Sequence, residues 1–478
     1  TVPALRAIHQ LSVNNTDLNL RLERLATGLR INRGADDPAG LIASEGLRNE
    51  IRSIGQAIDN STRAINVIST AEGALNEVSA LLLELQDLLV ASANDGGLTA
   101  DEIHANQLEI DSLLSSIDRI ANTTTFAGEK LLDGSRAYTV SSLVNTQIAT
   151  LSVFAAQIPQ GGTRDVTVRV TASAQTAQVA LIGANTSGAS TTSATTIEIR
   201  GTIGSDLFSF TAGTSLSVVR DAINSVTLVT GVSAILSTPG TAGIASALLL
   251  NSTEFGSDAF VSVTPISGNF IVNGNSGTES RDIGQDTGVV VNGQLAAVKG
   301  LRADVRSTSL DARIYLTVSF AQQTTATASF QITGGGATFQ LSPEVTPNGQ
   351  VHIGFSRVAS TALGDRITGL LYTLRSGQGN DLASKNFLTA QKILAESIDQ
   401  VSSFRGRLGN FQRNKLETNI RAQSIALENV TAAESLIRDA DIAVEVAGLT
   451  RAQILVQSTQ ATLQIATSAP RQVLALLG

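Results

Sequence analysis

Apolar side chains recur at helical spacing at both ends of the chain and at strand spacing between them. Near the start, Leu18, Leu22, Leu25 and Leu29 follow a 4-3-4 spacing, and Leu11 extends the row seven residues back. Asn15 occupies the stripe between Leu11 and Leu18, where one polar residue can set the register of a coiled coil. The row runs into Asn32-Arg33-Gly34 and then Ala35-Asp36-Asp37-Pro38-Ala39-Gly40. Gly34 can end a helix, and Asp37 before Pro38 has the form of an N-cap followed by a first-turn proline. This stretch is read as a structured break. A second stripe, Ile51, Ile54, Ile58, Ile65, Ile68, Leu75, Leu82 and Leu89, predicts a helix starting near Ala39 to Glu45 and running to Asn94. Such a helix is about 75 Å long at 1.5 Å per residue, a rod and not part of a compact core. After a turn at Asp95-Gly96-Gly97, a shorter helix from Thr99 to Asn122 places Ile103, Ile110, Leu114 and Ile117 on one face; Thr125 to Gly134 reads as extended chain and turn.

The C-terminal part mirrors this. Leu394, Val401 and Leu408 lie seven apart with Ile398 between the first two, and the row resumes with Leu416, Ile420, Leu427, Val430 and Ile437. Ile442, Leu449, Val456 and Leu463 again recur at seven, joined by Val446, and Pro470 is expected to interrupt the last helix before Val473 to Leu477. The middle is rich in Thr, Ser, Gly and Val. Val166 to Val170, Thr196 to Arg200 and Ser329 to Ile332 alternate as half-buried strands do. Ser215 to Ser225 reads as a short helix capped by Ser215, with Leu216, Val219 and Ile223 inward. Thr238-Pro239-Gly240, Asn273-Gly274-Asn275, Gly334-Gly335-Gly336 and Pro347-Asn348-Gly349 read as turns. The fold class is therefore α + β and multidomain. A long antiparallel α-helical coiled-coil rod is built from the N- and C-terminal segments, and one or two β-rich domains are inserted between them.

Composition narrows the function. The 478 residues include no Cys, Met or Trp, three His and three Tyr. Few bulky rings leave little material for one large core, which suits helical seams joined to light β domains. The formal charge is −8 and no segment combines Lys and Arg with aromatics, so nucleic acid is excluded as a partner. Without Cys there is no disulfide and no thiol catalysis. No run of about 18 apolar residues is present, so no membrane insertion is expected. Thr1 to Arg6 is not a basic region leading into an apolar one, so no cleavable signal peptide is visible, and an extracellular protein of this sequence would need a different export route. His9, His104 and His352 lie in unrelated segments, no HExxH, P-loop or GxGxxG pattern occurs, and no metal or cofactor is expected. Asp36-Asp37 is read as capping the helix break, and Asp439 and Asp441 as helix-surface charges. Asn-x-Ser/Thr triplets such as Asn185-Thr186-Ser187 and Asn251-Ser252-Thr253 are frequent by chance in Ser/Thr-rich sequence.

The terminal stripes have to be covered, since each buried Leu or Ile contributes about 1.5–3 kcal/mol. They can pair with each other, but Leu20, Ile31, Ile454, Leu455, Ile465 and Leu474 lie off the stripes. Apolar coverage that broad implies neighbours on several sides, and repeated head-to-tail contacts generate a helical filament. The pattern alone leaves an intramolecular coiled coil in a monomer open.

Leu25 to Asn32 (LATGLRIN) followed by Asp36 to Leu41 (DDPAGL) resembles the flagellin N-terminal signature, and Asn60 to Leu75 (NSTRAINVISTAEGAL) continues it. Arg407-Leu408-Gly409, Asn414, Leu416, Ala433-Glu434-Ser435, Ile437 to Asp441, Arg451 to Leu455 and Val473 to Leu477 are similar to the C-terminal signature. Ile197 to Leu236, opening IEIRGTIGSDLFSF, resembles a small module found in flagellins and filament-cap proteins. The resemblance implies a structural subunit, not an enzyme, that polymerises into the extracellular bacterial flagellar filament for swimming. It also implies type III export with a chaperone, growth beneath a cap protein, and contact with hook-junction proteins. Residues 1–40 would be an inner-tube helix and connector, 41–140 rod helices and a turn, 141–378 the outer insert, 379–438 the C-terminal rod helix and 439–478 the C-terminal inner-tube helix. Self-assembly would fall to Leu11, Leu18, Leu22, Leu25, Leu29, Ile442, Val446, Leu449, Val456 and Leu463, with Gly34, Asp36, Asp37, Pro38 and Gly40 as the connector. The hook–filament junction protein shares this architecture, and an insert that binds surfaces or glycans is compatible with it. The family's innate-receptor patch corresponds to Leu83 to Asn94. Here Leu88 fits it, but Glu84 and Gln86 stand where arginines are usual, so weak receptor activation is expected.

Overall fold

The chain is described by a computed structural model that covers all but residues 1, 95, 159–161, 183–190, 192, 238–246, 269–270, 273–274, 277–279, 308 and 478. The turn at Thr238 to Gly240, the Asn273-Gly274 pair, Asp95 and the Asn185-Thr186-Ser187 triplet lie outside the described residues, as do the side chains of Val473 to Leu477. Helices occupy both ends: α1 (Val2–Thr27), α2 (Pro38–Ser92) and α3 (Ala100–Thr123) before the β-rich region, and later α5 (Phe387–Phe411), α6 (Thr418–Arg438) and α7 (Ile442–Leu477). A short α4 (Leu216–Ser225) lies among the strands. The residues group into two compact units, Thr1–Ile65 with Gln340–Gln350 and Phe411–Gly478, and Asn66–Phe339 with Val351–Asn410.

The 55-residue α2 buries Ile54, Ala57, Ser61, Ala64, Ile68, Ala71, Leu75, Val78, Leu82, Leu85, Leu89 and Ser92, a strict alternation of three and four. One heptad position carries Ile or Leu except at Ser61, and Ala or Ser holds four of the six places of the other. Ile51, Ile58 and Ile65 of the expected stripe lie half-buried on its flank. Thr99 opens α3 with a capping box: its hydroxyl accepts from Glu102 N, and the Glu102 carboxylate accepts from Thr99 N at 2.7 Å. Gln107, 5% exposed, donates to Leu374 O at 3.0 Å and accepts from Leu382 N at 2.8 Å.

The C-terminal rod helix starts at Phe387, later than the 379 expected, because residues 371–384 form two 3-10 turns around the Gly377 and Gly379 region. Residues 354–386 include one short hairpin, Gly364–Asp365 with Gly369–Leu370, and pack on the helices as well as on the strand Ile148–Ala156, where Gly354 N donates to Phe154 O. Phe355 meets Phe404 of α5 edge-on at 6.4 Å, and Asp118 of α3 accepts from Ser360 N at 2.7 Å and pairs with Arg375 at 2.6 Å. Leu408 and Leu416 are eight residues apart, one more than the heptad. A π-helical turn, Gln412–Glu417, takes up the additional residue. The interruption expected at Pro470 does not occur: α7 runs through it to Leu477. A proline removes one backbone donor and crowds one carbonyl, and here the adjoining turns continue past that local loss.

Apart from three two-stranded hairpins, the described strands form two antiparallel pairs of open sheets. The first pair contains Tyr138–Ser141, Arg164–Ala172, Gly288–Val291 and Thr327–Gly335 in one sheet, and Ile148–Ala156, Arg302–Arg306 and Leu310–Leu316 in the other. Val166, Val168, Val170, Ile314 and Phe330 meet in one core. The second pair, from Thr176–Ile182 to Ser280–Ile283, is inserted between Arg164–Ala172 and Gly288–Val291 and has its own core. Leu216, Val219 and Ile223 of α4 close that core, as the sequence pattern indicated. Ser215 precedes α4 but makes no capping bond; its hydroxyl lies 2.9 Å from that of Ser217 instead.

Candidate assembly surface

α1 and α7 pack as an antiparallel pair with a partly polar seam. On α1 the inward positions are Ala7, Leu11, Asn14, Leu18, Arg21 and Leu25, alternating four and three; on α7 they are Glu445, Leu449, Ala452, Val456, Thr459 and Leu463. Asn14, 7% exposed, donates to Thr459 Oγ1 at 2.8 Å and to Leu455 O at 3.4 Å, and accepts from Gln10. Near the other end, Glu445 is 5% exposed and accepts from Arg21 Nη1 at 2.8 Å and Arg24 Nη1 at 3.2 Å. Burial pushes the Glu445 carboxyl up, but the two guanidinium hydrogen bonds and charges outweigh it and hold it below the usual carboxylate range. Between these polar contacts sits Ala452, 1% exposed, small enough for close approach.

The break after α1 is pinned to the link between α6 and α7. Gly28 closes α1 at φ +72°, a conformation that favours glycine, with its N–H bonded to Arg24 O at 2.9 Å. Leu29 then bridges Asp439: Arg30 N donates to Arg438 O at 2.7 Å and Ala440 N to Gly28 O at 2.9 Å. The Arg30 guanidinium holds Ile437 O. The Asp36 carboxylate accepts from Arg33 N at 2.8 Å and Asn32 N at 3.0 Å, and these bonds lower its pKa. Asp37 Oδ1 accepts from Gly40 N at 2.9 Å, and Pro38 is the first residue of α2. Ile31, 1% exposed, packs beneath this turn. Asp441 accepts from Ala443 N and Val444 N and caps α7, so it is a helix-start residue and not a bare surface charge.

The model of the bacterial flagellin N-terminal helical region matches residues 1–137, that of the C-terminal helical region 391–477, and that of the flagellin hook IN motif 196–253. A flagellin of Clostridium tyrobutyricum is 31% identical over 461 residues, 96% of this chain and 96% of its own. This chain belongs to the flagellin family. Flagellin B of Helicobacter pylori is 28% identical across 97% of this chain and 96% of its own, and the B-type flagellin of Pseudomonas aeruginosa 29% identical across 100% and 98%. This flagellin is a structural subunit of the extracellular flagellar filament, the helical polymer of bacterial motility. The hook–filament junction reading is not favoured.

Within this flagellin, the residues expected to assemble separate into two groups. Leu11, Leu18, Leu25, Leu449 and Leu463 are half-buried in the seam and Val456 is buried. Leu22 is 46% exposed, Ile442 51% and Val446 47%, so they lie on its flank. Leu29 lies beyond the helix end, and the polar seam residue is Asn14 where Asn15 was expected. Leu11, Leu18 and Leu25 share one row of the seam, while Asn15 and Leu22 lie one position beyond Asn14 and Arg21, which fill the other. Gly34, expected to end a helix, has no left-handed conformation; Gly28 ends α1 instead. Val2, Leu5, Ile8 and Val13 of α1 and Val444, Ile454, Leu455 and Ile465 of α7 are also exposed. Arg21, Arg24, Glu445 and Ala452 are not part of the apolar stripes, although the 7-11-14-18-21-25 spacing contains Arg21 and the 445-449-452-456-459-463 spacing contains Glu445 and Ala452 once polar and small residues are admitted. On α2, Glu84 is exposed while Gln86 and Leu88 are half-buried, flanked by exposed Leu83 and Val90. Among the described residues no group of His, Cys, Asp or Glu could hold a metal, and no helix is long and apolar enough to cross a membrane.

Proposed function

We propose that α1 and α7 form the inner wall of the filament, with residues 28–41 and 438–441 as a rigid connector to the longer helices. The observation that carries this reading is the exposed apolar surface on both helices of an already paired unit, including Val2, Leu5, Ile8, Ile454 and Ile465. An exposed surface of this kind is stable only when other copies cover it. The chain acts as a polymer subunit without enzymatic activity. Its export through the flagellar type III apparatus with a chaperone, its growth beneath a cap and its attachment to hook-junction proteins follow from family membership. The β-rich region faces outward. Truncation to residues 36–439 should leave a soluble monomer that electron microscopy shows unable to form filaments. Filaments of the truncated chain would overturn the assembly role of the two helices.

The reversed charge at Glu84, with Gln86, weakens recognition by innate receptors that bind arginines in this part of the family.

A further inference from the structure

We propose that the β-rich region is held to α5 by a polar latch, formed by one face of that helix and the outer face of the sheet carrying Leu310–Leu316, and that the latch opens with both sides still folded. This goes beyond the assembly reading. It rests on residues of Asn66–Phe339 and Val351–Asn410, one compact unit that includes neither α1 nor α7.

The strand Leu310–Leu316 alternates. Leu310, Ala312, Ile314 and Leu316 enter the core of the first pair of sheets. Asp311, Arg313 and Tyr315 lie on the opposite face, with Arg302 and Asp304 of the neighbouring strand. Such a face is ordinarily left to solvent in an antiparallel sheet. Here Arg313 is 6% exposed and Tyr315 9% exposed, because α5 covers them. Lys392, Glu396, Asp399 and Arg407 form one row on α5. Tyr315 Oη donates to Glu396 Oε1 at 2.6 Å, Arg313 pairs with Asp399 at 3.3 Å, and Lys392 with Glu254 at 3.0 Å. The Arg407 guanidinium holds Asp311 and lies 3.7 Å above the centre of the Phe154 ring. The buried apolar row of α5, including Ile393, Leu394 and Leu408, is a different one.

Opening this contact exposes chiefly polar groups, which water can satisfy. Closing it gains little, since charge pairing is offset by desolvation. Polar contacts between parts with their own cores are the ones that move. The contact is also not close-packed. A cavity of about 80 Å³ lies in it, with Thr150, Ser152, Arg313, Tyr315, Gln400 and Ser403 in its wall. The Thr150 hydroxyl is buried without a hydrogen-bond partner among the described residues. A space lined in this way admits water. The pivot is Gly354-Phe355: Gly354 N donates to Phe154 O on the sheet at 2.6 Å, while the Phe355 ring meets Phe404 on α5.

The chain has no Cys, so Ser115→Cys on α3 and Ser329→Cys on the sheets, both exposed, supply two sites for spin labels. Pulsed electron paramagnetic resonance on the full-length monomer should give one narrow distance. Glu396→Ala with Arg407→Ala leaves good helix formers on α5 and should raise the population of a second distance by about tenfold. Sodium chloride at about 1 M should move the parent the same way. Hydrogen exchange at the Ile314 and Ile393 amides should stay at the parent rate, since sheet and helix remain folded. One narrow distance in the double variant would overturn the latch. Faster exchange at both amides alongside the second distance would overturn it equally, because the contact would then belong to one cooperative core.

Discussion

Arg21 Nη1 donates to Glu445 Oε2 at 2.8 Å, joining residues 424 apart in sequence within a buried part of the α1–α7 seam. Glu445→Ala removes the acceptor and leaves two guanidinium groups without it. The helix pair should lose about 1–3 kcal/mol, seen as a lower filament melting temperature by circular dichroism. The Glu445 carboxyl is held below its ordinary value in the folded state. Its stabilisation is therefore complete above the unfolded value, about 4.3, and lost as pH falls through the lower folded value. The melting-temperature difference between parent and Glu445→Ala should be constant near neutrality and shrink below that range.

Gly40 is the tightest position in the connector. A Cβ there would lie 2.5 Å from Asp37 Oδ2 and 2.7 Å from Ile31 Cδ1. Asp37 is engaged in the turn and Ile31 is fully packed, so Gly40→Val should cost about 1–3 kcal/mol. Gly34→Ala, whose Cβ would make only an ordinary 3.6 Å contact with Leu41, should be nearly silent in the same melt.

Gln107 ties α3 to the segment before α5 through the carbonyl of Leu374 and the amide of Leu382. Gln107→Leu fits the volume but leaves both backbone groups unpaired. A loss of about 1–3 kcal/mol is expected, with faster hydrogen exchange at Leu382 than in the parent.

Glu84→Arg combined with Gln86→Arg should raise the response of an innate-receptor reporter to purified monomer. A strong response to the parent chain would contradict the proposed weak recognition.

The helical ends, the β-rich middle, α4 and the break near Pro38 were legible because their signals are local: apolar period, capping residues and turn chemistry. The π turn announced itself only as an eight-residue step from Leu408 to Leu416. Leu22 and Leu29 lie off the seam because its second row is made by Asn14 and Arg21, polar residues that an apolar stripe does not include. Ala57, Ser61 and Ala64 escaped the α2 stripe for the same reason, since small residues pack as tightly as large ones when helices approach closely. Segment 354–386 carries no periodicity and takes its conformation from Asp118, Phe404 and Gln107.

The sequence by itself determined where most helices and strands form and that the terminal helices carry apolar residues off their main stripes. Only the tertiary structure decided which face of each helix turns inward. The inward faces bring a buried carboxylate to two guanidinium groups on a helix more than 400 residues away, a pairing that periodicity along one segment does not encode.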